Sequence, residues 1–251
     1  GIEIMKAAAE SGPKPVTLEL GGKSPQIVFD DVRNIDAVAD RIVRAFTGNA
    51  GQVCVSGSRL LVQKAVHDVL IEKIVARARG FAAGPLENAE TRYSPIISGG
   101  QATSIEDAVR QSVGEGASVA LELGRLEGPG GVFLSPCILS DVTMQTRAVK
   151  DELFGPVLTV QTFEDEEEAL SLAAHATYGL AAGVHTAGLG RAMRAIRKLK
   201  AGTVWVNRYG RSSDFVIPTG GYGGSGIGKD LGRQAVEANL RYKSVLMAFE
   251  G

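Results

Sequence analysis

A single cysteine, Cys54, lies among small residues in the stretch GNAGQVCVSGSR, which runs from Gly48 to Arg59. A structural thiol is usually packed among bulky apolar side chains, whereas small neighbours let a substrate or another backbone segment come close. A cysteine acts as a nucleophile when its thiol pKa is lowered or a base lies nearby. The pattern favours a reactive thiol at Cys54, while Cys137, in the apolar run FLSPCIL, is assigned a buried structural role.

A carboxylate, Glu19, lies in the otherwise apolar run VTLEL and is followed by Gly21 and Gly22. Burial in such a setting raises the pKa of a carboxyl group toward the range in which it works as a general base. A solvated strand end explains the same residue equally well from this feature alone. The residues by themselves leave both interpretations of Glu19 open.

A second carboxylate, Glu152, precedes Phe154, Gly155 and Pro156 in the run KDELFGPVLTV. A carboxylate can accept hydrogen bonds from two ribose hydroxyls, and an aromatic ring can flank a flat heterocycle. Taken alone, however, Glu152 fits ordinary surface charge better than it fits ribose binding.

A glycine-rich run, GGYGGSGIGKDLG, contains the G-x-G-x-x-G spacing of a dinucleotide-binding turn at Gly221, Gly223 and Gly226. The helix that follows is predicted to begin only near Asp230, so the third glycine cannot pack inside its first turn. Asp230 also occupies the place where a phosphate-binding loop has Ser or Thr. The run is therefore interpreted as a flexible or tightly turning loop.

Three histidines, His67, His175 and His185, are the remaining candidates for base or metal chemistry. Each is more typical of a structural position, and a Cys-His hydrolase would need folding to bring one of them to Cys54. No cluster of Cys, His and Asp has the spacing of a metal site, so we predict chemistry without a metal.

Strand-like and helix-like segments alternate along the chain. The apolar positions of residues 34–46 repeat at helical spacing, with Asn34 as a plausible cap. The runs SPQIVF, SRLLVQ, GPVLTVQTF and LAAGVHT are typical of strands. This alternation predicts an α/β fold with a mostly parallel sheet covered by helices. The last run, KSVLMAFEG, predicts a C-terminal strand that needs a neighbouring edge, and on another subunit it would be an oligomerisation strand.

Composition is that of an ordinary globular chain. The 251 residues are 44% hydrophobic and 22% charged, and 27 basic against 28 acidic residues give a net charge of −1. This balance argues against nucleic acid or an anionic membrane as partner. Two cysteines make no disulfide framework, so a reducing, cytoplasmic location is expected. The chain opens GIEIMKAAAESG without an initiator Met and is interpreted as a fragment.

Taken together, the quoted motifs resemble the aldehyde dehydrogenase superfamily in order and spacing. They are VTLELGGKSP, GNAGQVCVSGSR, DELFGPV, GTVWVN and GGYGGSGIGKDLG. The resemblance extends over the whole chain but covers only the second half of such an enzyme. It implies that residues 1–20 are the tail end of the cofactor-binding domain and that residues 21–215 form the catalytic α/β domain. Residues 216–251 would then form a glycine loop, a helix and the terminal oligomerisation strand.

The resemblance implies a role for each matching residue. Cys54 would be the nucleophile and Glu19 the general base. Glu152 would hold the ribose next to the nicotinamide, Phe154 would lie beside the nicotinamide ring, and the carbonyl of Leu20 would bind its carboxamide. The residues expected to flank the substrate tunnel are Asn207, Asp214 and Phe215.

Some family features are absent or changed. The asparagine that helps to bind the oxyanion, and the strands and lysine that bind the adenosine half of the cofactor, would lie upstream of this chain. Thr219 replaces the usual Phe before the last glycine motif, and Gly223 replaces the usual Lys after Tyr222. The last two changes affect loop packing rather than chemistry.

The implied reaction is oxidation of an aldehyde to a carboxylic acid through a thioester on Cys54, with NAD or NADP as hydride acceptor and NAD favoured. The expected partners are a small-molecule aldehyde and further copies of the chain, in a homodimer or homotetramer. The loop after Asn207 is similar to that of members acting on aliphatic or amino-aldehydes. This chain alone is expected to be inactive. Two alternatives remain open, a Cys-dependent hydrolase or esterase and a non-catalytic assembly module.

Overall fold

The computed structural model describes residues 1–81, 91, 93–126, 128, 130–210 and 215–249. Within these residues the helices are α1 (Ile2–Glu10), α2 (Ile35–Thr47), α3 (His67–Ala78), α4 (Gly99–Gly114), α5 (Arg147–Lys150), α6 (Glu166–Ala173), α7 (Leu189–Lys198) and α8 (Gly232–Ala238). The strands are β1 (Leu18–Glu19), β2 (Pro25–Val28), β3 (Arg59–Gln63), β4 (Ser118–Leu121), β5 (Arg125–Leu126), β6 (Phe133–Leu134), β7 (Cys137–Ser140), β8 (Val157–Phe163), β9 (Tyr178–Gly179), β10 (Ala181–His185), β11 (Thr203–Val206), β12 (Tyr222–Gly223) and β13 (Gly226–Ile227).

A seven-stranded sheet organises the part of the chain that the structure describes, in the order β11-β10-β2-β3-β8-β7-β4. Its neighbouring strands are parallel except for β4, which runs antiparallel to β7 at one edge. Parallel neighbours need long crossover connections, and the helices supply them. The predicted α/β fold with a mostly parallel, helix-covered sheet is confirmed.

The central strands are buried on both faces. Every residue of β2 is buried, as are the first four residues of β3. Helices therefore cover both sides of the sheet, and the apolar runs read from the sequence correspond to strands without a solvent face. This rigid centre fixes the ends of β2 and β3, where the candidate residues lie.

Helix α2 leads directly to the cysteine turn. Its N-cap is Asn34, whose Oδ1 accepts a hydrogen bond from the amide of Ala37 at 2.9 Å. Its buried face carries Val38, Ile42 and Phe46 among other residues, which pack against the sheet and α3. The helix predicted over residues 34–46 is confirmed as Ile35–Thr47.

Some predicted strands are shorter than expected. Only Leu18 and Glu19 of the VTLEL run are in a strand, because their antiparallel partner β13 is itself two residues long. The run around Cys137 is split into β6 and β7, with Pro136 between them. Proline has no backbone N–H to donate to a ladder, which explains the break.

The C-terminal residues 240–249 are in no helix or strand, and they are exposed. Apolar side chains there are open to solvent, with Leu246 91% and Phe249 87% exposed. The predicted pairing of this segment with another subunit stays a prediction. The predicted domain boundaries also stay predictions, although β13 pairs with β1 and β12 pairs with β9, which ties the glycine loop to the earlier segments.

Candidate active site

Cys54 follows a turn with an unusual backbone. Asn49 (φ 50°, ψ 39°), Ala50 (φ 52°, ψ 36°) and Gly51 (φ 73°) are consecutive left-handed residues. Asparagine and glycine tolerate this conformation best, and alanine carries only one methyl group. A Cβ on Gly51 would also overlap the carbonyl of Gly155. The small residues around Cys54 therefore allow a tight reversal between α2 and β3.

The Cys54 side chain is half-buried and faces a cavity of about 510 Å³. The walls come from the last turns of α2, from residues 53–56 and from residues 208–210 after β11. Cys137, by contrast, is fully buried in β7, and burial raises the pKa of its thiol to about 12. The two thiols therefore differ as the sequence predicted: Cys54 is accessible and Cys137 is part of the core.

Tyr209 connects the cysteine turn to strand β10 of the sheet. This role was not identified from the sequence. The hydroxyl of Tyr209 donates a hydrogen bond to the carbonyl oxygen of Val55 at 3.0 Å. Its ring packs over Gly183, where a Cβ would come within 2.6 Å of the ring. Burial is the main cause of a raised pKa for this phenol, so it remains a protonated donor at neutral pH. An aromatic residue two positions after GTVWVN was the available signal.

Glu152 lies against the glycine pair that follows β1. Its Oε1 accepts a hydrogen bond from the amide of Gly22 at 3.0 Å, and a Cβ on Gly21 would overlap its carboxylate. Desolvation raises the pKa of Glu152, while the Gly22 amide and the positive charge of Lys23 oppose this shift. A Cβ on Gly22 would lie 2.6 Å from the carbonyl oxygen of Cys54. The structure thus places both the Glu152 carboxylate and the backbone of the cysteine turn next to Gly22.

Phe154 and Leu20 flank the same region. Phe154 is 40% exposed and has a left-handed backbone with φ 51°. The preceding carbonyl, that of Leu153, accepts a hydrogen bond from Nε2 of Gln101 at 2.9 Å. Leu20 donates its amide to the carbonyl of Ser225 at 3.1 Å. Both residues are thereby fixed by contacts that are distant in sequence.

Glu19 lies in β1 opposite Gly226 and is exposed. A Cβ on Gly220 would come within 2.7 Å of its Oε1, so the carboxylate lies against the glycine loop. Among the described residues that form the walls of the Cys54 cavity, Glu19 and Glu152 are absent. The role of Glu19 as the general base in the chemistry at Cys54 stays a prediction.

The residues predicted to flank the substrate tunnel, Asn207, Asp214 and Phe215, do not share one environment. The side chain of Asn207 accepts a hydrogen bond from the amide of Thr186 at 3.0 Å and donates one to the Thr186 carbonyl at 2.8 Å. It borders a second cavity that shares Arg41 with the Cys54 cavity. Phe215 is 69% exposed, and Asp214 lies outside the described residues. Whether these residues contact substrate stays a prediction.

Two buried cations, Lys23 and Arg59, were not identified from the sequence as important residues. Lys23 is 3% exposed, and burial and the charge of Arg59 lower its pKa to about 7. Arg59 is fully buried and donates to the carbonyls of Lys23 at 3.0 Å, Leu172 at 3.0 Å and Ala173 at 2.8 Å. Desolvation lowers the pKa of Arg59 to about 10, so it is charged at neutral pH. The one feature of the sequence that could have indicated a buried arginine is the position of Arg59 near the start of the apolar run SRLLVQ.

The described residues contain neither a metal cluster nor a membrane-spanning helix. No group of three or more His, Cys, Asp or Glu side chains there could hold a metal ion. Among the same residues, no helix has the length and apolarity needed to cross a bilayer. None of the three histidines lines the cavity of Cys54, as far as the described walls extend.

Comparison with known proteins agrees with this geometry. An aldehyde dehydrogenase from Davidiella tassiana is 41% identical over 245 residues, which are 98% of this chain and 49% of that protein. The chain therefore spans about half the length of the curated relatives it matches.

Solved structures give the same result. Betaine aldehyde dehydrogenase from Staphylococcus aureus, in complex with NAD+, superimposes with a TM-score of 0.88 at 37% identity, over 94% of this chain and 47% of that one. An NAD-dependent aldehyde dehydrogenase from Sinorhizobium meliloti gives 0.89 at 38% identity, over 95% and 47%. The model of the aldehyde dehydrogenase family matches residues 1–245. With its α/β fold and these relatives, the chain belongs to the aldehyde dehydrogenase family.

Proposed function

We propose that the protein carrying this chain oxidises an aldehyde to a carboxylic acid through a covalent thioester on Cys54. The observation that carries the proposal is the arrangement around Gly22. The amide of Gly22 donates to the half-buried carboxylate of Glu152, and a Cβ on Gly22 would lie 2.6 Å from the backbone carbonyl oxygen of Cys54, whose side chain faces the cavity. Family membership supports the same reaction.

The residues present fit the nicotinamide end of a dinucleotide. Glu152 is held by the Gly22 amide through one carboxylate oxygen, which leaves acceptor capacity for two ribose hydroxyls. Phe154 offers a partly exposed ring to the nicotinamide, and the carbonyl of Leu20 is assigned to its carboxamide. When bound, the coenzyme supplies the hydride acceptor. Relatives solved with NAD+ favour NAD over NADP.

Cys54 attacks the carbonyl carbon as a thiolate, forming a C–S bond and leaving negative charge on the aldehyde oxygen. Among the described residues, the backbone amide of Cys54 donates no hydrogen bond. It is thus available to the developing oxyanion, and one such donor is typically worth about 3–4 kcal/mol. Loss of hydride from the same carbon then leaves a thioester on Cys54.

Glu19 is assigned to hydrolysis of the thioester. Its carboxylate takes a proton from water, the hydroxide adds to the acyl carbon, and the C–S bond breaks to release the acid and the Cys54 thiolate. The carboxylate of Glu19 is exposed and lies against the glycine loop, so solvent water can reach it. Asn207, Asp214 and Phe215 are assigned to the substrate side.

The proposal also includes an oligomeric state and a cellular location. The exposed apolar residues at the C-terminus support pairing in a homodimer or homotetramer. Two free cysteines, one of them proposed as a nucleophile, support a reducing cytoplasmic compartment.

The test measures aldehyde-dependent NADH formation by the protein carrying this chain. We expect Cys54→Ser to lower kcat about a thousandfold or more. The matched control is Cys137→Ser, which alters the other cysteine, a buried residue of β7 that does not line the cavity. Equal loss in the two variants would mean a folding defect, and full activity of Cys54→Ser would overturn the proposal.

A second variant separates the two half-reactions. Glu19→Gln should form the thioester and release acid slowly, so that a Cys54 acyl adduct accumulates in intact-mass spectra. Ester turnover without any coenzyme that depends on Cys54 but not on Glu19 would instead support the hydrolase alternative.

A further inference from the structure

The walls of the Cys54 cavity carry an uneven set of charges. Arg41, Arg44 and Arg208 contribute to these walls, and no acidic side chain does among the described residues. The chain as a whole is close to neutral, with a net charge of −1. Three arginines therefore line the cavity of one accessible thiol in a chain whose net charge is close to zero.

The acidic side chains of helix α2 already have a cationic partner. Arg77 of α3 donates to Asp36 at 2.8 Å and to Asp40 at 2.6 Å. Arg41 and Arg44 line the Cys54 cavity and form no ion pair with these carboxylates, although Arg44 also borders a neighbouring cavity together with Asp40 and Arg77.

The cavity-facing arginines of α2 have no acidic partner within the part of the chain that the structure describes. Arg44 is exposed, and its Nε donates to the backbone carbonyl of Asp40 at 3.4 Å. Arg41 is half-buried, and no ion pair involves it among the described residues. Burial, together with the charge of Arg41, lowers the pKa of His185 to about 4.

An anionic ligand suits this arrangement. A guanidinium presents a planar fork of N–H donors that matches a carboxylate and forms short, charge-assisted hydrogen bonds. A cleft lined by one sign of charge also raises the local concentration of oppositely charged substrate. A cationic amino-aldehyde would be repelled by the same walls, contrary to the substrate class that the loop after Asn207 suggests.

Resting on the proposed function, we propose that the aldehyde substrate carries a carboxylate, as an ω-oxo acid does. Arg41 and Arg44 bind that carboxylate while Cys54 attacks the aldehyde carbon at the other end. Arg208 adds to the positive charge of the same cavity. The arginines thus select the substrate by charge, and the thiol performs the chemistry.

The first test needs no turnover. Alkylation rates of Cys54 are measured by peptide mapping with anionic iodoacetate and with neutral iodoacetamide. We expect the iodoacetate-to-iodoacetamide rate ratio to fall about fivefold or more in Arg41→Gln/Arg44→Gln, and to fall in the wild type as salt is raised. The matched control is Arg110→Gln, which removes an exposed arginine of α4 paired with Asp107.

The second test compares substrates of equal chain length. The ratio of kcat/KM for succinate semialdehyde to kcat/KM for butanal should fall about tenfold or more in Arg44→Gln and stay unchanged in Arg110→Gln. An unchanged ratio, or faster wild-type turnover of a cationic amino-aldehyde than of the semialdehyde, would overturn the inference.

The outcomes separate the two proposals. If Cys54 reacts with both reagents and aldehydes are oxidised, but the arginine variants leave both ratios unchanged, only the carboxylate inference fails. If Cys54 reacts with neither reagent and Cys54→Ser keeps activity, the proposed function itself fails.

Discussion

Arg59 and Arg44 carry the same guanidinium group but lie in opposite surroundings. Arg59 is fully buried at the start of β3 and donates to three backbone carbonyls. Arg44 is exposed at the cavity of Cys54, and its one hydrogen bond to the described part of the chain is a long bond of 3.4 Å to the carbonyl oxygen of Asp40. A cation with a full set of acceptors stabilises the fold, whereas a cation without them remains available to a ligand.

Replacing the buried arginine should have the largest effect. Arg59→Met leaves the carbonyls of Lys23, Leu172 and Ala173 without their donor in a dry site, and each such loss costs about 1–3 kcal/mol. We expect the free energy of unfolding to fall by about 3–5 kcal/mol in urea denaturation. A loss smaller than that of an exposed arginine variant would contradict the structural role.

Lys23 extends the comparison to a buried cation without an ion pair among the described residues. Burial lowers the pKa of Lys23 from its ordinary value of 10.5 to about 7 in the fold. Between these values the unfolded chain binds more protons, so the stability of the wild type rises with pH across this window. Below pH 7 both states are charged and the full desolvation penalty applies.

Lys23→Met should therefore be more stable than the wild type at and below neutral pH, by about 2–4 kcal/mol. The advantage should shrink as pH approaches 10.5. Denaturation of both proteins across this range provides the measurement. A difference that stays constant with pH would show that Lys23 is not the titrating group.

Tyr209 lies between the two regions and should give a smaller effect. Tyr209→Phe removes the hydrogen bond to the Val55 carbonyl but keeps the ring over Gly183, so the expected loss of stability is about 1 kcal/mol. Because Val55 directly follows Cys54, the rate at which Cys54 is alkylated should also change. If Tyr209→Phe changes neither the reactivity of Cys54 nor the stability of the protein, the Tyr209 hydroxyl does not stabilise the cysteine turn.

The smallest expected effect belongs to the cavity arginines. Arg41→Gln and Arg44→Gln should each change the free energy of unfolding by less than about 0.5 kcal/mol, since neither has an ion pair among the described residues. Thermal denaturation of each variant beside Arg59→Met tests this directly. A large loss would assign these arginines to the fold and not to a ligand.

Local patterns predicted many of the elements and the accessibility of Cys54. The cap at Asn34, the helix that it begins and the small residues around Cys54 are encoded within short stretches, and the structure has them there. The roles of Arg59 and Tyr209 were not predictable in this way. Two acceptors of Arg59 lie 113 and 114 residues further along the chain, and the acceptor of Tyr209 lies 154 residues before it.

The short strand β1 shows the same limit. Its apolar run suggested a longer strand, but a ladder extends only as far as its partner, and β13 is two residues long. The position of Glu19 against Gly220 likewise depends on a loop about two hundred residues away in the chain. Single-sequence patterns identify residues that could react, and tertiary contacts decide which residues they face.

The left-handed run before Cys54 also limits which sequences this position can accept over evolution. Ala50 is fully buried at φ 52°, so a larger residue would meet both an unfavourable backbone and a filled interior. A saturation library scored for soluble expression should show Ala50 and Gly51 to be as intolerant as any residue that takes part in the chemistry. Strict sequence constraint close to a proposed nucleophile can therefore result from backbone conformation and packing alone.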